Sequence, residues 1–222
     1  MVIGYVLLGL IAVMMFFGLL NNVVRSMKLE PWVALVFVIA YVVGGVIPLI
    51  YFGPSFAIGI GGFIVPLVLS AVLTVFGGFG MPFLRTATAM LATAAITVAV
   101  TVWIPLTSMW MSVLASCVIG VLGGAISYAI CQSRITSAAG AVGGVVIGNV
   151  IGQFVVFFTG MTTVFTLGGS MIFDASVITL VFSVILATVA YGSKATNNMR
   201  ARSAEAGEDN AELDEFDDFL NK

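Results

Sequence analysis

Apolar residues run along this chain in long uninterrupted stretches, and polar residues gather in the short gaps between them. A bilayer hydrocarbon core of about 30 Å takes about 20 apolar residues per helix. Seven stretches meet that requirement: Val2–Leu20, Trp32–Ile50, Gly62–Phe79, Thr86–Ile104, Met109–Cys131, Thr136–Phe158 and Ile172–Tyr191. Pro66 interrupts the third and Gly77, Gly78 and Gly80 fray its end, so a broken third helix is expected. Ahead of it, Tyr51–Gly61 (YFGPSFAIGIG) carries no charge and reads as a re-entrant or interfacial loop, viable only where protein or water surrounds its backbone. The predicted fold is all-α: a polytopic transmembrane helical bundle of about seven spans over residues 1–192, then a cytoplasmic acidic tail over 193–222, largely disordered.

Composition excludes a soluble domain. Of the 222 residues, 61% are hydrophobic and 8% charged, against about 25% charged in a soluble domain. The excess apolar surface must face lipid. Continuous rather than alternating runs argue against a β-barrel, and 25 glycines suit helices that approach closely in a bilayer. Without a basic n-region or a cleavage signal, the first stretch reads as a retained span.

Charge position gives the orientation. Arg25, Lys28, Arg85, Arg134, Lys194, Arg200 and Arg202 fall in gaps that seven spans place on one face. The positive-inside rule makes that face cytoplasmic, with the N-terminus outside and the tail inside a multi-pass cell membrane protein. Glu208, Asp209, Glu212, Asp214, Glu215, Asp217 and Asp218 crowd the tail, so the net charge of -2 belongs to it. Its end, AELDEFDDFLNK, spaces Leu213, Phe216 and Leu220 for one helical face, a pattern suited to folding on a cytoplasmic or membrane protein partner. The other partners expected are the lipid bilayer and further copies of the chain.

Candidate chemistry is sparse. Thr136, Gly140, Gly144, Gly148 and Gly152 recur every fourth residue, and Ser112, Ser116, Gly120 and Gly124 form a matching stripe on the preceding span. The short turn at Arg134 predicts a tight antiparallel hairpin between these two spans; the alternative is that the glycines widen a solute path. Asp174 is the one acid within or bordering an apolar span. It reads either as a functional carboxylate facing a cavity or ion path, or as a cap on the N-terminus of the seventh span, after Gly168–Ser170. Asn149 and Gln153 read as interhelical hydrogen-bond partners or as a polar site.

Other classes lack their residues. Asp174 has no second carboxylate with which to share a proton, and no histidine or intramembrane lysine stands ready to activate a serine. Walker and GxGxxG loops are absent, and no basic patch invites nucleic acid. Cys117 and Cys131 lie too far apart on one helix to bridge, and without histidine or CxxC neither metal nor other cofactor is expected. The chain is not expected to be an enzyme.

Four stretches together resemble a prokaryotic membrane-protein family known as the domain of unknown function sixteen-fourteen. They are Leu29–Leu49 (LEPWVALVFVIAYVVGGVIPL), Ile58–Ser70 (IGIGGFIVPLVLS), Val142–Ile151 (VGGVVIGNVI) and Leu167–Ala187 (LGGSMIFDASVITLVFSVILA). The resemblance implies a polytopic prokaryotic membrane protein and no particular activity. It departs where the family tends to carry an acid after the glycine of the sixth span, since this chain has Asn149 there. The functional expectation is a non-enzymatic membrane subunit or scaffold with a partner-docking tail; the alternative is a small-solute or ion translocator using Asp174, Asn149 and Gln153. An intramembrane enzyme ranks third.

Overall fold

The computed structural model describes residues 2–17, 24, 30–104 and 108–190. Within them are seven helices: α1 (Val2–Phe16), α2 (Pro31–Val46), α3 (Val65–Gly77), α4 (Met81–Trp103), α5 (Met109–Cys131), α6 (Arg134–Phe158) and α7 (Ser170–Ala190). Residues up to Ala187 form one compact unit; a second, Thr188–Lys222, holds the last residues of α7. The tail and its Leu213, Phe216 and Leu220 lie outside the described residues.

Five helices are long and apolar enough to cross a membrane: Ile60–Gly77, α4, α5, α6 and α7. Among the described residues, the count of seven spans is not confirmed on length. With 15 and 16 residues, α1 and α2 extend about 22 and 24 Å at 1.5 Å per residue, short of the bilayer core. The expected break in the third span is instead a widened turn. Ile60–Ile64 is π-helical, and Pro66, which has no amide proton to give the preceding turn, follows directly at the start of α3.

The segment expected to be a re-entrant or interfacial loop carries two short strands. β1 (Ile50–Tyr51) runs antiparallel to β2 (Phe56–Ile58), and β2 runs parallel to β3 (Phe165–Leu167), with Phe56 opposite Phe165 and Ile58 opposite Leu167. Strand pairing satisfies backbone groups that a loop would leave bare. The Phe56 and Phe165 rings stack at 5.7 Å. Each of β2 and β3 leads through glycine into a helix, and the two glycine crossings touch: a Cβ at Gly59 or at Gly62 would lie 2.2 Å from the Gly168 carbonyl oxygen. No side chain fits there, and Gly168 also needs its positive φ of 80°.

The core is centred on α6, buried without interruption from Ile135 to Val146. The glycine stripe of α6 lies against α4, not α5. A Cβ at Gly140 would fall 2.8 Å from Ala89 Cβ, one at Gly144 2.4 Å from Thr93 Cβ, one at Gly148 2.5 Å from Thr97 Cβ, and one at Gly152 3.3 Å from Thr101 Cβ. Residue numbers rise together, so α4 and α6 run parallel. The stripe on α5 likewise meets α7: Ser116 Oγ donates to the Met171 carbonyl at 3.0 Å, Gly120 abuts Ile178, and Gly124 abuts Thr179 and Ser183. This pair is parallel too.

The predicted α5–α6 hairpin is therefore corrected in its contacts. The two helices do turn back on each other through Gln132, at φ 55°, and Ser127 Oγ donates to the Ser137 carbonyl at 2.7 Å. Their small-residue stripes, however, point to different neighbours. Helical phase is the reason: on α6 the residues facing α5 and those facing α4 are separate faces of one cylinder. Thr136 in turn sits 3.3 Å from a Cβ built on Gly77 at the end of α3.

Outside this core the helices present large apolar side chains such as Leu91, Val75 and Val189. Trp103 (84% exposed) and Trp110 (82%) stand at the end that carries the sheet, the kind of residue found at membrane interfaces.

Candidate functional site

Polar side chains capable of chemistry lie near the sheet end of the bundle. Asp174 stands in the second turn of α7 and is 2% exposed. Its Oδ1 accepts the Gly4 backbone N–H at 3.0 Å. Gly4 is the third residue of α1, so this amide is one of the donors a helix leaves unpaired at its start. Asp174 therefore caps α1. It does not cap α7, whose first turn is already closed by the Phe173 N–H on the Gly169 carbonyl; the helix begins too early for Asp174 to be its cap residue.

Close packing fixes that contact. A Cβ on Gly4 would lie 2.7 Å from both Asp174 Oδ1 and the Phe173 ring, and one on Gly45 would lie 2.6 Å from the Tyr5 hydroxyl. The Phe173 ring stands 5.2 Å from that of Tyr5 and 6.1 Å from that of Tyr41. The carboxyl group also stands at the positive end of the α1 helix dipole. Further along, α1, α2, α3 and α7 leave an apolar cavity of about 280 Å³, lined by Leu7, Phe37, Tyr41, Leu73, Val177 and Val181 among others.

Asn149 and Gln153 lie one turn apart on α6. Gln153 Oε1 accepts the Thr166 N–H of β3 at 3.5 Å. Asn149 is 0% exposed, and neither its Nδ2 nor its Oδ1 has a hydrogen-bond partner. The three residues expected to share a polar path thus serve separate contacts: Asp174 reaches α1, Gln153 reaches β3, and Asn149 bonds to neither. Among the described residues, no three His, Cys, Asp or Glu side chains come together.

Several contributors escaped the sequence reading. Thr86, Thr93, Thr97 and Thr101 of α4 are buried against α6, and their spacing of seven or four was readable as a small-residue stripe. Ser70 Oγ donates to the Ala139 carbonyl at 3.0 Å, tying α3 to α6. Gly4 and the Gly44–Gly45 pair carried no signal, because one such position in an apolar run has no periodicity.

Long apolar helices with exposed apolar side chains and hydroxyl-to-carbonyl bonds between helices fit an integral membrane protein of the helical-bundle class. Comparison with known protein families, with curated proteins and with solved structures finds no match.

Proposed function

We propose that the chain is a non-enzymatic membrane subunit or scaffold, its helices forming a rigid frame and its acidic tail docking a cytoplasmic partner. The observation that carries this reading is the pair of parallel seams, α4 on α6 and α5 on α7, in which glycine, serine and threonine bring backbones into contact. A centre filled by backbone suits a frame. The resemblance noted above adds a prokaryotic source. The orientation that goes with it has the N-terminus outside and the tail inside, so a membrane-impermeant thiol reagent should not reach Cys at position Ser203 in intact cells.

Purification of the full chain in mild detergent tests the docking role. A stoichiometric partner that is lost on Phe216→Ala and Leu213→Ala supports it; a homo-oligomer unaffected by the tail substitutions refutes it. The translocator reading keeps one favourable observation, the two strand–glycine–helix elements paired side by side, since transporter sites form where helices are interrupted. Solute flux into liposomes holding the purified chain would decide for it.

A further inference from the structure

We propose that the apolar cavity between α1, α2, α3 and α7 holds one acyl chain of a bilayer phospholipid, which enters tail first through an opening between α1 and α7. The inference goes beyond the scaffold reading and does not depend on the docking tail.

The lining selects the chemistry. Close-packed interiors leave few spaces larger than a water molecule, and this one measures about 280 Å³. Tyr41 is the single lining residue with a hydroxyl; its companions are Leu, Ile, Val, Ala, Met and Phe. Water settles in a cavity only where several polar groups can bond to it, whereas a cavity walled by such side chains stays dry and takes hydrocarbon. A charged or polar solute would lose its hydration there and gain nothing in exchange.

Helix register gives the cavity its shape. Gly4 meets Asp174, and from that level the lining continues from Leu7 to Met15 on α1 and from Val177 to Ile185 on α7. The cavity therefore follows both helices for about 12 Å at 1.5 Å per residue. One end is shut by the rings of Tyr5, Tyr41 and Phe173. The side is open: Leu10 of α1 and Ile185 of α7 both line the cavity, yet they are 56% and 51% exposed. That opening lies partway along two apolar helices, so in a bilayer it meets acyl chains, which make up the hydrocarbon core. A phospholipid tail matches an elongated apolar space closed at its far end. The headgroup, which this lining cannot solvate, stays at the other end, where Met15, Val24 and Ala34 line the cavity. Met14 and Met15 place flexible, polarisable side chains along its course, suited to conforming to a chain.

The test uses the full chain in phosphatidylcholine vesicles doped with a phospholipid that carries a photoactivatable diazirine at the end of one acyl chain. Leu8 and Val177 line the cavity near the aromatic cluster and are 2% and 1% exposed, so a carbene formed in the surrounding lipid does not reach them. Illumination followed by peptide mapping should find label on both. Moving the diazirine next to the headgroup should shift the internal label toward Met15. Val181→Phe enlarges a lining side chain and should lose the label at Leu8 and Val177, while Leu91, 64% exposed on α4, labels as in wild type. Ala34→Leu adds less volume to the same cavity and gives the reading if Val181→Phe does not fold. Wild-type label confined to outward residues such as Leu91, or equal internal label in wild type and the filled variants, overturns the proposal. So does internal label that free palmitate abolishes in the presence of excess phospholipid, because the cavity then selects a free fatty acid. Partner capture through the tail is read separately, so each result leaves the scaffold reading to its own test.

Discussion

Replacing Gly144 by alanine adds one methyl group at the tightest point of the α4–α6 seam. The new carbon would stand 2.4 Å from Thr93 Cβ and 2.7 Å from the Met90 carbonyl oxygen. Carbon atoms pack best about 3.5 to 4.0 Å apart, so α4 must withdraw by about 1 Å or more. The obstacle is partly backbone, and no rotamer change relieves it. Overpacking of this kind costs about 1–3 kcal/mol, while alanine returns about 1 kcal/mol of helix propensity relative to glycine. The net expectation is a loss of up to about 2 kcal/mol. Gly9 in α1 supplies the control, because a Cβ there would meet nothing within 4 Å; Gly9→Ala should gain up to about 1 kcal/mol. Gly152→Ala, with Thr101 Cβ at 3.3 Å, should fall between them. Equilibrium unfolding of the three variants in bicelles gives the order directly. If Gly144→Ala is as stable as Gly9→Ala, the seam does not hold the two helices as described.

The parallel register can be read by cross-linking. In a background lacking Cys117 and Cys131, cysteines at Gly152 and Thr101 should form a disulfide on mild oxidation, since their Cβ atoms would lie 3.3 Å apart, close to the usual span of about 3.5–4.5 Å; a failure to cross-link removes the α4–α6 pairing. Asp174→Asn retains an oxygen for the Gly4 amide and should cost about 0.3–1 kcal/mol of charge–dipole energy, whereas Asp174→Leu leaves that amide bare and should cost more. Equal melting of the two variants would show that the contact contributes nothing. Ser116→Ala, which removes the bond to the Met171 carbonyl, should lose about 0.6–1.7 kcal/mol, measured in the same unfolding assay.

The helical bundle was legible because lipid imposes a single strong demand, long apolar runs, and the chain satisfies it openly. Helix partners were harder. Spacing every fourth residue identifies a face that wants close contact, and Gly140 through Gly152 declare one, but nothing in that spacing says which neighbour fills it; adjacency in sequence suggested α5, and the threonines of α4 fill it. The sheet was hidden for a related reason. Phe56–Ile58 and Phe165–Leu167 are three-residue segments beside long apolar runs, too short to show a period of two, and their pairing joins residues more than a hundred positions apart. Asp174 stood out as an intramembrane acid, yet its partner is a backbone amide at the far end of the chain, which side-chain patterns do not reveal.

Parallel seams also set an order of assembly. Two consecutive spans joined by a short turn can meet as soon as both are inserted, but α4 and α6 point the same way and must wait for α5 to cross between them; α5 and α7 must wait for α6. Until then α4 stands in lipid with its threonine face uncovered. That face is prepared for the delay. Thr86 Oγ1 donates to the Pro82 carbonyl, Thr97 to Thr93 and Thr101 to Thr97, at 2.9, 3.0 and 2.7 Å, so these hydroxyls are satisfied within the helix itself. Thr93 is the exception: it donates to the Gly123 carbonyl at 3.3 Å, so α4 gains this partner when α5 inserts, and α7 then closes both the α5 seam and the beginning of α1.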